Sequence, residues 1–374
     1  MSVAYASSSV DRFSQAATEA LAARALGRTP TTQGGRELYG KSFVEVGREW
    51  LALRGRDGNL PPEAVARILL GAEIPYSTPG DFPNLLSNLA SKILSQPEAF
   101  SAATFKAWCS PLPPVRNFQP TTVNTLGEFG DLPYHGDGRD FEQSKPAEGP
   151  VVWFQTDSYG DEFALTSRMI VDDNLGGFTA ALQDKQLAHD QTLNRLCCNL
   201  LTLNQAMGDG YALFGSNHGN LAGSGAAPNK VALSGARLAM RMQTGIGGRI
   251  LNLPIDGLLI PPELETTVQE LLQTTLQISP PTSAPIANTS EGADVFRGSM
   301  TWWVEGLLSA NSTTAWYAVS KRRRGVCYCF QEGFEQMVQR SYWNPRNNCR
   351  IWQFEGRFGV CAVDHRPLYK NAGA

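Results

Sequence analysis

The chain has 374 residues, a formal net charge of −3, and 42% hydrophobic against only 18% charged residues. That length predicts two or three packed units, and the near-neutral balance excludes a strong field for nucleic acid or for an anionic membrane. A charged fraction below the ~25% of an average soluble protein suits a surface that neighbouring molecules cover.

The N-terminal stretch lacks the apolar core of a signal peptide, and no run of ~18 uncharged apolar residues occurs. The chain is therefore expected in the cytoplasm. Ser9–Leu26 is Ala-rich with Phe13, Ala17 and Leu21 at spacing four, and Gly27 and Pro30 end it. Ser42–Leu53 repeats the pattern with Phe43, Val46, Trp50 and Leu53; Pro61-Pro62 opens a third helix through Leu70, closed by Gly71. None is long enough to make a core alone. Asp81–Gln96 carries Leu85, Leu86, Leu89, Ile93 and Leu94 on one helical face, and Phe100–Trp108 is a further helical stretch.

From Arg116 to Thr166 the texture is β-branched and aromatic. Val151–Phe154 and Glu162–Leu165 read as strands, and Gly127–Gly149 is a long Gly- and acid-rich interruption. This predicts a two-stranded excursion that needs outside contacts to stay ordered. Asp172, Asp173 and Asn174 supply N-cap chemistry for the longest helix, about Leu175–Leu203, roughly 40 Å at 1.5 Å per residue. Gly208–Gly225 is turn-like. Helices over Ser234–Thr244 and Pro261–Gln273 alternate with strands at Gly257–Ile260, Met300–Val304, Ala315–Val319 and Val326–Phe330; Ser279–Gly292 is a loop. Arg350–Phe354 and Phe358–Val363 are expected to form a hairpin across Glu355-Gly356-Arg357, followed by a terminal strand or coil at Leu368–Ala374.

No signature of chemistry emerges. GxGxxG after a strand, GxxxxGK[ST], HExxH, GxSxG and CxxC are all absent. His135, His189, His218 and His365 lack ligand spacing; His189 falls on an apolar stripe, and His218 lies in a turn of Asn, Gly and Ser. The seven cysteines read as buried thiols. Catalytic, cofactor-binding and metal-binding residues are expected to be absent. Lys321-Arg322-Arg323-Arg324 is the one basic run, expected as a solvated turn, with a contact to acidic neighbours as the next reading.

The order of helical segment, β excursion, very long helix, α/β section and return strands resembles the HK97-like capsid fold, an α+β architecture. Asp81–Lys92, Phe105–Trp108, Asn117–Pro120, Ile170–Phe178, Gly208–Phe214 with His218–Leu221, and Leu258–Glu265 resemble more specifically the Mu-like phage major head subunit family, over about residues 40–368. Gly215 stands where family members often carry His, so no paired-His site is expected there.

The resemblance implies an N-terminal helical arm at 1–80, helices leading into the P-domain at 81–115, an E-loop at 116–166, a spine helix at 167–207, an A-domain at 208–332, and P-domain return strands at 333–374. It implies no enzyme and no cofactor, but a subunit that forms pentamers and hexamers of an icosahedral tailed-phage head. Packaged double-stranded DNA would lie at the inner face. Portal, scaffolding or decoration proteins are further partners, no membrane is involved, and the location is the virion after assembly in the host cytoplasm. Phe129, Tyr134 and Phe141 are the expected apolar anchors between subunits; Arg139, Asp140, Glu142 and Lys145 are the expected ion-pairing residues. An encapsulin-like compartment shell and a cytosolic Cys/His hydrolase are the alternatives.

Overall fold

The structure is a computed structural model that describes residues 9–71, 82–94, 103–129, 132, 134, 137, 145–273 and 296–374. The chain divides into two compact units. The first draws on Met1–Ala102, Ser158–Gln191 and Phe334–Gly356, the second on Ala103–Asp157, Thr192–Gly333 and Arg357–Ala374. The division falls inside the long helix and inside one long strand.

In the first unit the N-terminal helices are Ser9–Ala25, Gln33–Leu38, Phe43–Leu53 and Pro62–Leu70, followed by Phe82–Leu94. Their ends follow local chemistry. Ser42 and Glu45 form a capping box, each side chain bonding the other's backbone N–H. Pro62 sits in a first turn, and Gly71 closes that helix in the left-handed region at φ 99°. Expected as an arm without a core of its own, these helices instead pack Ala17, Leu21, Val46, Trp50, Val65 and Leu69 into one cluster. Leu85, Leu86, Leu89, Ile170, Phe178, Leu182 and Trp352 complete it. The Phe178 and Trp352 rings meet edge-on at 5.5 Å. Short amphipathic helices that cannot sustain a core singly do so together. Leu53, read as inward-facing, is exposed.

The long helix spans Leu175–Leu203 as predicted. Of its three expected capping residues only Asn174 caps it, accepting from Gly177 N–H at 2.9 Å. A Cβ at Gly177 would come within 2.7 Å of the Asn174 side-chain amide, which would have to shift to make room. Asp173 instead turns to the N-terminal helices. Its Oδ1 accepts from Phe43 N–H at 2.9 Å and pairs with Arg24 at 2.8 Å. Asp172 makes a surface pair with Arg168.

The expected hairpin at Glu355-Gly356-Arg357 does not form. Cys349–Ala362 is one continuous strand. Buried Phe354, Gly356 and Phe358 alternate with half-buried Glu355 and Arg357 straight through the expected turn. A period of two without interruption, with a partner opposite each half, keeps the chain extended. In the first unit Glu355 faces Val338 of the antiparallel strand Val338–Asn344. In the second, Phe358 faces Phe330 of Val326–Phe330, which also pairs in parallel with Ser110–Pro111.

The second unit holds a four-stranded sheet in the order Leu368–Asn371, Trp316–Val319, Gly257–Ile260, Thr301–Val304, with only the last pair parallel. Gly257 lies under the Trp303 ring, where a Cβ would meet ring carbons at 2.3 Å. The helices Lys230–Arg241 and Glu265–Gln273 cover this sheet through Leu233, Ala236, Met240, Val268 and Leu272. The final strand thus belongs with the 208–332 section and not with the return strands. The Phe100–Trp108 helix is seen as Phe105–Trp108; its start and the Ser279–Gly292 loop lie outside the described residues. Among the described residues no helix is long and apolar enough to cross a membrane.

Asp173, half-buried, is the anchor of this arrangement. Asp173→Ala is expected to destabilise the chain by about 1–3 kcal/mol in denaturant unfolding, because it orphans the Phe43 N–H. Asp172→Ala, which loses only an exposed pair, should cost at most about 1 kcal/mol.

Candidate assembly interface

The excursion predicted from strand texture is a two-stranded antiparallel ribbon, Thr121–Leu126 with Glu148–Phe154. It is a sheet of its own. Alternation decides what each face does. Val152 and Phe154 are buried against Leu112, Cys327, Cys329, Cys361 and Val363. Val151 and Trp153 point the other way, and Trp153 is 64% exposed. Toward the tip Phe129 is 53%, Leu132 92% and Tyr134 93% exposed. One face of the ribbon is therefore packed within its own unit while the other presents an aromatic and aliphatic surface to solvent.

Of the residues expected to contact other subunits, Phe129 and Tyr134 are exposed apolar side chains, and Lys145 is exposed. Arg139, Asp140, Phe141 and Glu142 lie outside the described residues. Val151, Trp153 and Leu132 were not singled out from the sequence. The Val-Val-Trp-Phe run reads as a strand but does not say which alternate pair faces inward.

The chain just past the far end of the first ribbon strand is held by charge. Arg323 pairs with Glu128, and its Nε also lies 3.1 Å from Asp364 Oδ2. Asp364 in turn accepts from Arg366 at 3.1 Å, and Arg366 Nε donates to the Thr244 carbonyl at 2.6 Å. The basic run is thus a turn with Lys321, Arg322 and Arg324 exposed, but Arg323 is turned inward. Burial pushes the Glu128 carboxyl up, yet bonds from its own N–H and from Arg323, with the charges of Arg323 and Arg366, outweigh it. The group ends below its ordinary value.

A second apolar surface lies on the helix Lys230–Arg241 and just beyond it. Leu233, Ala236 and Met240 face the core, while Val231, Leu238 and Met242 are exposed. Deeper in the same unit, buried Glu305 accepts from Thr104 Oγ1 at 2.5 Å and Asn194 Nδ2 at 2.7 Å. Asn194 Oδ1 also takes the Phe105 N–H at 2.9 Å. This network is satisfied, and its role is to fix the C-terminal half of the long helix against the short Phe105–Trp108 helix.

The histidines do not stay apart as their spacing suggests. His218 sits in a turn, as read, but is buried. It lies 2.9 Å through Nε2 from Asp209 Oδ2 and 3.1 Å through Nδ1 from the Leu213 carbonyl. Its ring stacks on His365 at 3.7 Å between centroids and 4° between planes. Spacing gave no sign of one grouping: Asp209, His218 and His365 offer possible ligand atoms within 4.8 Å of one another. The final strand, returning to the sheet beside Trp316–Val319, carries His365 to this place, and no local spacing encodes that.

All seven cysteines are free and buried. Burial pushes the Cys109, Cys198, Cys327, Cys329 and Cys361 thiols up, Cys327 to about 12. A Cys/His hydrolase needs the opposite, a thiol lowered by its neighbours.

A family model described as phage capsid protein matches residues 149–371, from the second strand of the ribbon through the last strand. The chain belongs to the phage capsid protein family. Among solved structures, the capsid of Ralstonia phage GP4 aligns with a TM-score of 0.51 at 10% identity, covering 74% of this chain and 92% of that one. The capsid of Myoviridae phage XM1 gives 0.43 at 14% identity, with 74% and 93% covered. The procapsid of bacteriophage JBD30 gives 0.42 at 15%, with 78% and 76%. Of these three the first alone exceeds 0.5, and it establishes the fold. Nothing among curated proteins matches the chain. The molecule is a major capsid protein with the HK97-like α+β fold that the order of its elements resembles.

In this capsid protein the Arg323–Glu128 clamp has a defined pH signature. A carboxyl held below its unfolded value stabilises the fold fully above that value, 4.5 for Glu, and the contribution disappears as pH falls through the folded value. Glu128→Gln should therefore lower unfolding stability at neutral pH. The gap between variant and parent should close in acid, as read by denaturant unfolding at stepped pH.

Proposed function

We propose that this capsid protein self-assembles into the pentamers and hexamers of an icosahedral, Mu-like tailed-phage head. The head would enclose double-stranded DNA, with the four-stranded sheet section as the A-domain near the capsomer axis and the ribbon as the E-loop. The observation that carries the reading is the exposed apolar face of the ribbon. A two-stranded sheet is marginal in water, and this one leaves Val151 and Trp153 uncovered on a unit that already buries Val152 and Phe154. A second copy of the chain laid over that face would cover it. The helices of residues 9–71 share a core with Phe178 and Leu182 and in this reading belong to the subunit body, so the ribbon is the element that reaches a neighbour. Host cytoplasm during assembly and the virion afterwards are the corresponding locations. Portal and packaged DNA are partners without sequence reading.

Magnitudes rank the contacts. Covering a large apolar side chain is worth about 1.5–3 kcal/mol, whereas an exposed ion pair such as Lys145 would make is worth about 0–1 kcal/mol. Trp153→Ala should therefore raise the concentration needed for shell formation by tenfold or more, a factor equal to about 1.4 kcal/mol. Lys145→Ala should change it little. Light scattering against protein concentration reads both. Deleting Gly130–Gly149 should leave a folded chain that forms no shells in electron micrographs; normal particles from that deletion would remove the ribbon from the assembly contact.

A further inference from the structure

The cluster of Asp209, His218 and His365 has no part in the shell contacts proposed above, and both ring nitrogens of His218 face oxygen acceptors. A carbonyl oxygen only accepts, so His218 Nδ1, 3.1 Å from the Leu213 carbonyl, carries a proton and donates it. In a neutral ring Nε2 then holds a lone pair, and it faces Asp209 Oδ2 at 2.9 Å. Two acceptors at that distance require a positive charge between them.

The surroundings are those of a metal-binding histidine. The Leu213 carbonyl fixes the tautomer that leaves Nε2 free to ligate, the usual outer-shell arrangement. Asn220 Nδ2 donates to that same carbonyl at 2.8 Å and to the His365 carbonyl at 3.3 Å. Gln243 holds the His218 carbonyl at 2.9 Å. Both histidine backbones are thus pinned.

We propose that Asp209, His218 and His365 bind one divalent cation of the zinc class, through two imidazole nitrogens and one carboxylate oxygen, with a fourth position left to water. The two rings are parallel, so their lone pairs run along parallel lines. Closing on a common ion turns the His365 ring and breaks the stack. The ion ties the Gly208–Asn220 loop to the segment that leads into the last strand of the sheet, which joins two parts of the A-domain section far apart in sequence.

The test uses the purified full-length chain, loaded with cobalt(II) or zinc(II), dialysed, and assayed for metal by mass spectrometry. Circular dichroism checks the fold of each variant. One ion per chain, a cobalt spectrum of nitrogen and oxygen ligation, and at least a tenfold weaker affinity in His218→Gln, His365→Gln and Asp209→Asn are expected. Where one variant does not fold, the remaining ones and a chelator-reversible rise in melting temperature of the parent chain decide the matter. Three results overturn the site. The parent chain could retain no metal, which would make the charge between His218 and Asp209 a proton. Binding could be unchanged in folded His218→Gln or His365→Gln. The cobalt spectrum could carry a thiolate charge-transfer band, which would place the ion on a cysteine.

Discussion

The ribbon formed by Thr121–Leu126 and Glu148–Phe154 has two faces, and the unit that carries it covers one. Strand geometry makes this unavoidable. Alternate side chains point opposite ways, so burying Val152 and Phe154 commits Val151 and Trp153 to the outside. A globular enzyme would place a second layer over such a face. In the assembly proposed above a second copy supplies that layer, a reading that fits the low charged fraction of the chain, the exposed aromatic residues and the capsid family to which it belongs.

The rest of the molecule holds that ribbon at a fixed base. Val152 and Phe154 pack on Cys327, Cys329 and Cys361, small buried thiols that serve as core and not as chemistry. Arg323 reaches Glu128 on one side and Asp364 on the other, joining the chain just past Leu126 to the segment entering the last strand. Within the first unit, Asp173 plays a comparable part for the N-terminal helices. A left-handed residue at φ 48° between two helices turns its carboxylate to an N-terminal N–H that lacks a partner in its own helix. Both anchors are charged groups with backbone or guanidinium partners, the stronger class of hydrogen bond.

Hydrophobic periodicity made the helices legible. The bounds Leu175–Leu203, the helix ending at Gln273 and the cap at Asn174 follow from spacing and local hydrogen bonding, which depend on residues a few positions apart. The misreadings share one cause. Glu355-Gly356-Arg357 has the composition of a turn, but partner strands on both halves keep it extended. The N-terminal helices look too short for a core, yet Phe178 and Trp352, distant in sequence, complete one. Neither partner is visible to a local window.

The sequence by itself determined which segments become helices and strands, that an excursion near residues 116–166 lacks a core for all its apolar side chains, and the order of elements that resembles a capsid subunit. Local chemistry suffices for these, because caps, periodicity and breakers act over one or two turns of chain. The tertiary structure decided which side of the ribbon is buried, which arginine of the basic run turns inward, and that Asp209, His218 and His365 share one place. Those outcomes depend on packing, ion pairs and strand pairing between segments far apart in sequence, which leave no trace in residue spacing.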